Sequence, residues 1–324
     1  MSRRDMILAA TVAALWGFNF LVIEWGMAGI PPLLFVAIRF AVVAAFVVVV
    51  PPPRARWTAV VGVGLFMSLG QFGLLYIALA LGLQPGLAAL LMQAQAVFTV
   101  VIAAGVLRER PTRGQVIGVG LGIVGLATVA AGRGGDAPAI AVALALAAAL
   151  SWAVGNVISR RAGVVTGRGP LGALSLTVWS ALVVPVPAFG LALVFEGPQA
   201  IGDGLAGFGI PALISTIYTA GLCTLVGYAI FNSLLGRNPS AAVVPWVLLA
   251  PVVAMSAAAV LLGQVPAPAE IIGGAVLVVG VLVTTVGRRP RTPRPPRRAR
   301  SRGRSRVRAR VRAAADAEAA GAPV

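Results

Sequence analysis

From residue 6 to residue 287 the chain alternates between long apolar runs and short breaks built of arginine, proline and glycine. The runs lie near 6–24, 32–50, 58–80, 86–107, 115–132, 138–158, 170–194, 208–232, 239–262 and 269–287. Each approaches the ~20 apolar residues that a helix needs to cross the hydrocarbon of a bilayer. None shows the two-residue alternation of a barrel strand, and a helix bonds its own backbone inside lipid. The pattern therefore predicts an all-α integral membrane protein with ten transmembrane helices. The first run leads straight on with no small-residue cleavage site, so no cleavable signal peptide is expected.

The plan is written twice. Pro85–Gly125 holds an apolar run, a polar break and a glycine-spaced apolar run, and Pro239–Gly280 repeats it. Across the break the register is constant: Pro111 falls on Pro266, Gln115 on Glu270, Gly118 on Gly273 and Gly125 on Gly280. Trp16-Gly17-Phe18-Asn19 opens one copy and Trp152-Ala153-Val154-Gly155-Asn156 the other. With five spans per copy, the second enters the bilayer from the opposite side, so the prediction is two inverted five-helix repeats around one central site. Their expected bounds are residues 5–134 and 138–287, followed by a disordered arginine-rich tail at 288–324.

Charge orients this scaffold. Only 11% of residues are charged, against 59% hydrophobic, and the mean hydropathy is +0.96. Soluble domains carry about 25% charged residues, too many for this chain to be one of them. The net charge of +17 is uneven. Thirteen of the 26 basic residues, all arginines, fall between Arg288 and Arg312. That run cannot build a core and reads as a cytoplasmic tail attracted to anionic lipid rather than to nucleic acid. In the short breaks, Arg3, Arg4, Arg54, Arg56, Arg108, Arg110, Arg113, Arg160, Arg161, Arg168 and Arg237 lie on one side and Arg133 on the other. The crowded side is expected in the cytoplasm, with both termini.

The residue inventory then limits the chemistry. Histidine is absent and Cys223 is the single cysteine, so histidine-built zinc sites, Ser-His-Asp triads and Cys-His nucleophiles are ruled out. No enzyme activity and no cofactor or metal is expected. What remains inside the spans is neutral and polar or aromatic: Trp16 and Asn19, Gln71, Gln93 and Gln95, Trp152 and Asn156, Tyr228 and Asn232, and Trp246. An amide facing lipid leaves its hydrogen bonds unmade, so these groups are expected to point inward. There they can bond helix to helix, at about 0.6 kcal/mol each, or line a wet cavity and meet a polar ligand. Gln93 and Gln95, two residues apart, cannot both face one way on a regular helix. One is expected in the cavity and the other in packing.

Arg39 is the charge set deep in a span, with Glu24 as the obvious partner. The pair is read first as a staple between the first two helices, and second as a carboxylate attractor or a proton carrier. Pro245 and Pro251 are expected to kink the ninth span. Gly118, Gly122 and Gly125 on the fifth span, with Gly273, Gly274 and Gly280 on the tenth, read as close-packing faces that could also support a homodimer.

Several strings go further: LWGFNFLVIEWG, PPLLFVAIRF, GLAALLMQAQAVFTVV with RERPTRGQ, SWAVGN and SLTVWSALVVPVP. With them the chain resembles the EamA-type drug/metabolite transporters, in particular the bacterial exporters of O-acetylserine, cysteine and related amino-acid metabolites. The resemblance implies a multi-pass protein of the bacterial inner membrane and a cavity formed mainly by spans 1, 3, 4, 6, 8 and 9. It also implies export of a small-molecule substrate. Gln264 stands where the family commonly has an acid matching Glu109. The expected substrate-binding set is Trp16, Asn19, Gln71, Gln93, Trp152, Asn156, Tyr228 and Trp246. The rival readings are a drug-like or sugar-linked cargo, and a scaffold that does not transport.

Overall fold

Ser2 starts the first helix. Its hydroxyl accepts the backbone N–H of Asp5 at 3.1 Å, satisfying an amide that the helix itself leaves open. An unbroken apolar run then carries α1 over Arg3–Gly26. The remaining long helices in this computed structural model are α2 Pro32–Val48, α3 Trp57–Ala80, α4 Pro85–Val106, α5 Arg113–Ala131, α6 Ala139–Arg161, α7 Leu171–Phe195, α8 Ile210–Arg237, α9 at 240–262 and α10 Pro268–Val286. The structure describes residues 1–131, 138–162 and 169–286. Arg133, Arg168, the 132–137 stretch of the junction and the 288–324 tail lie outside them.

Among the described residues every regular element is helical. Eight helices are long and apolar enough to cross a membrane, and Pro32–Val48 and Pro268–Thr284 are shorter apolar helices. One further helix, Pro198–Ala206, was not expected from sequence. Pro198 sits at its first turn and it buries Ile201 and Gly204, a pattern far too short for a search tuned to spans. Just before it, the Glu196 carboxylate accepts the N–H groups of Leu33 at 2.7 Å and Leu34 at 3.3 Å. It thereby caps the start of α2 from the end of α7.

Three irregularities occur in pairs. Both α3 and α8 widen in the middle into π-helix, over Gly64–Gly70 and Ile217–Gly227. Both α4 and α9 break, into Pro85–Met92 and Ala94–Val106 in one and Ser240–Val247 and Ala250–Leu262 in the other. Past each broken helix the chain takes a left-handed residue, Arg108 at φ 52° and Gly263 at φ 66°. Proline accounts for the break in α9: Pro245 lies inside its first piece and Pro251 opens the second. Pro185 likewise opens the second piece of α7, Pro185–Phe195.

Packing follows the same pairing. Helix α1 packs on α8 and α9, while α6 packs on α3 and α4. Helices α5 and α10 run antiparallel, glycine against glycine. A Cβ on Gly125 would lie 2.6 Å from the carbonyl oxygen of Gly273, and one on Gly280 would lie 2.7 Å from that of Gly118. The glycine faces that suggested a homodimer are thus turned toward each other within the chain. Gly125→Leu is expected to destabilise the protein by about 1–3 kcal/mol through overpacking. Gly120→Ala, where an added Cβ meets nothing within 4 Å, is expected to be neutral or slightly stabilising. Thermal unfolding of the purified variants in detergent measures both.

Candidate functional site: a polar cavity in the bundle

The polar residues of the spans converge on a cavity of about 520 Å³. It reaches from the middle of the helices to Arg160 near the end of α6 and Thr284 near the end of α10. At the opposite end of the bundle Ile23, Leu34, Leu79 and Leu87 close into the hydrophobic core. Trp16, Asn19, Gln71, Gln93, Trp152, Asn156 and Tyr228 all line the cavity, and so do Gln95 and Asn232.

Trp246 does not. It packs beside the cluster of Ala9, Leu234 and Val243, and Val247, Leu248 and Ala250 at the break in α9 take the lining positions instead. The expectation for Gln93 and Gln95 also changes. Both line the cavity because α4 breaks at Gln93. There the backbone tightens, with Gln93 N–H bonded to Leu90 C=O and Ala96 N–H to Gln93 C=O. Three-residue turns advance about 120° per residue rather than about 100°. Residues two apart then diverge by about 120° instead of about 160°, and a broad cavity receives both.

The widened segments of α3 and α8 hold the facing helices by their carbonyls. Trp16 Nε1 donates to Cys223 C=O at 3.0 Å, and the Ser151 hydroxyl to Phe66 C=O at 2.7 Å. The Trp16 ring lies 5.0 Å from Tyr228 and 5.2 Å from Phe231. Asn156 Nδ2 donates to Gln95 Oε1 at 3.0 Å, and Asn232 Nδ2 to Ala173 C=O at 2.8 Å. At the open end Arg160 pairs with Glu109 at 2.9 Å.

The ion pair expected between Glu24 and Arg39 is not formed. Arg39, 2% exposed, donates instead to the Tyr76 hydroxyl at 2.9 Å and the Thr224 hydroxyl at 3.1 Å. Its guanidinium carbon stands 4.1 Å from the centre of the Phe72 ring. Tyr76, Phe72 and Thr224 come from α3 and α8, so the arginine points into the bundle while Glu24, near the end of α1, keeps its own half-buried position. No motif marks this turn in the sequence. Two spans already identified as cavity-forming, α3 and α8, supply the neutral partners that displace the acid.

Six buried side-chain polar atoms among the described residues have no protein partner. Four of them, Asn19 Oδ1, Gln71 Oε1, Trp152 Nε1 and Arg39 Nε, belong to residues lining this cavity. An unmet buried polar atom costs about 1–3 kcal/mol, and four of the six are concentrated on residues of this one cavity.

Long helices that bear exposed valines such as Val48, Val186 and Val260 and gather their amides at the centre make a multi-pass membrane protein. The chain belongs to the EamA-like transporter family, which it matches over residues 4–131 and again over 139–286. It is a transporter and not an enzyme. A probable amino-acid metabolite efflux pump of Salmonella typhimurium is 38% identical, covering 90% of this chain and 98% of that one. A protein of the same description in Escherichia coli is 34% identical, covering 89% and 97%. A probable terminal-alkyne amino-acid exporter of Streptantibioticus cattleyicolor is 30% identical over 66% of this chain and 69% of its own. A solved crystal structure superposes with a TM-score of 0.60 over 90% of this chain and 100% of its own, at 22% identity, a likeness of fold alone.

The two tryptophans that open the repeats differ in a way that can be measured. Trp16→Phe removes the made hydrogen bond to the Cys223 carbonyl and is expected to lower stability by about 1 kcal/mol. Trp152→Phe removes a buried donor that has no partner, and is expected to leave stability unchanged or slightly higher. Thermal unfolding of the purified variants reads the difference.

Proposed function

We propose that this transporter exports small amino-acid-like metabolites, of the cysteine and O-acetylserine kind, across the inner membrane by alternating access. The observation that carries the reading is the central cavity with its unpartnered amide, indole and guanidinium groups. A small zwitterion needs several hydrogen bonds, and neutral amides with aromatic walls supply many of them. The names of the relatives from Salmonella and Escherichia agree with such a cargo. Trp16, Asn19, Gln71, Gln93, Trp152, Asn156 and Tyr228 are the proposed substrate-binding residues.

The transport cycle follows from the repeats. Paired widening in α3 and α8, paired breaks in α4 and α9, and glycine contacts that exchange under the repeat register support two inverted five-helix halves, residues 5–134 and 138–287. Halves of that kind can rock about a shared central site, opening it to one side at a time. The arginine bias of the short loops supports cytoplasmic termini. The cavity reaches the ends of α6 and α10 beside Arg160, so the conformation described faces the cytoplasm on this reading.

Cells that overproduce the protein are expected to accumulate cysteine or O-acetylserine outside, measured by mass spectrometry of the medium. Asn19→Ala and Gln71→Ala are expected to cut that export about tenfold at equal membrane abundance, the loss of roughly 1.4 kcal/mol of interaction. Unchanged export in both variants would remove these residues from the binding set. Single cysteines placed in the Arg160 and Arg237 loops are expected to react with an impermeant reagent from the same face of the membrane.

A further inference from the structure

Arg39 stands out in the cavity by its charge. It is buried to 2% exposure, yet every group that it bonds or stacks on is neutral: the Tyr76 and Thr224 hydroxyls and the Phe72 and Phe40 rings. No Asp or Glu is among the described residues that line the cavity, and the other lining arginine, Arg160, is engaged by Glu109. A buried cation without an anion is costly. Stacking on Phe72 offsets part of that cost and leaves the charge itself uncancelled.

The guanidinium has five N–H groups in a fixed fork. Tyr76 and Thr224 take one from each terminal nitrogen. One N–H on each of those nitrogens remains, and so does the Nε–H, which has no partner. These are the donors that a carboxylate accepts in pairs. The bonds to Tyr76 and Thr224, which belong to two different helices, hold the fork still, so little rotamer entropy is lost when an anion arrives. The unpartnered acceptors of the same cavity, Asn19 Oδ1 and Gln71 Oε1, are of the opposite kind and suit an ammonium group.

We propose that Arg39 is the carboxylate anchor of the central cavity, and that it makes the transporter select cargo carrying a free carboxylate over the corresponding esters. This rests on the export reading above for the cargo class. The anchor itself stands on the geometry of Arg39. Arg39 is a specificity residue: the cation waits in the cavity and the cargo brings the anion.

The test uses purified full-length protein in carboxylate-free buffer, with L-cysteine and L-serine, each beside its methyl ester, as probes. Wild type, Arg39→Gln and Arg39→Lys are compared by ligand-induced thermal stabilisation and by efflux from proteoliposomes. Wild type is expected to bind at least one free acid ten times more tightly than its ester. In Arg39→Gln that ratio is expected to fall toward one, with ester binding unchanged, and in Arg39→Lys part of it returns. A merely structural arginine would weaken acid and ester together and leave the ratio alone, which overturns the proposal. An ester that binds wild type as well as the acid overturns it too, and needs no variant to fold. Acid binding that depends on Arg39 without efflux keeps the anchor and removes the export reading. Efflux of the acid at the wild-type rate in Arg39→Gln does the reverse.

Discussion

Hydrocarbon offers a polar group no partner, and this structure is organised around that lack. Backbone groups are satisfied inside helices, so every regular element among the described residues is helical. Where α3 and α8 widen, a side chain from a neighbouring helix meets each. The π-widened stretch of α8 receives Trp16, and that of α3 receives Ser151. The carboxylate of Glu196 meets the open amides at the start of α2. The same rule drives the side-chain amides to the middle of the bundle. A cavity lined by amides is therefore the predictable outcome of placing them on apolar helices, and four polar atoms of its lining residues remain unbonded.

Much of the fold is legible because length and glycine spacing are one-dimensional signals. Runs of about twenty apolar residues and the constant register from Pro111–Pro266 to Gly125–Gly280 can be counted on the chain. The close approach of α5 and α10 follows from them, since an added Cβ at Gly125 or Gly280 would collide with the opposing backbone. The π-helical stretches left no such trace. Widening a turn needs no special residue, only a neighbour that rewards it, and Gly64–Gly70 reads as ordinary span. The helix Pro198–Ala206 was missed for a different reason: it buries two residues, Ile201 and Gly204, and two positions make no period.

The site divides along similar lines. Trp16 with Asn19, and Trp152 with Asn156, sit one helical turn apart, so each pair shares a face whatever the tertiary structure does. Their common destination was visible from spacing. Gln95 was not, because its orientation depends on the tightened turn at Gln93. Trp246 was misplaced for the same physical cause in the other repeat. The break after Val247 hands the lining positions to its neighbours, and an aromatic side chain that looked destined for the cavity became packing for Leu234. Arg39 was the largest misreading. Pairing the deepest cation with the nearest acid is sound electrostatics, but Tyr76 and Thr224 hold the guanidinium in the bundle and Glu24 has no geometry with which to follow it.

That misreading bears on how a cycle can run. If the halves rock as proposed, closing the cavity when it is empty would leave Arg39 shut in with neutral partners, and burying an uncompensated cation is among the larger penalties available to a protein. Closing it around a carboxylate removes the water and supplies the counter-charge in one step. On the proposed reading the occluded state would then be favoured by the cargo, as a conformational change must be if a ligand is to drive it. The proposed requirement would also account for the lack of Asp and Glu among the described lining residues. A resident carboxylate beside Arg39 would stabilise the empty protein and compete with the cargo for the same N–H groups. Neutral partners fix the arginine in place and leave its charge available.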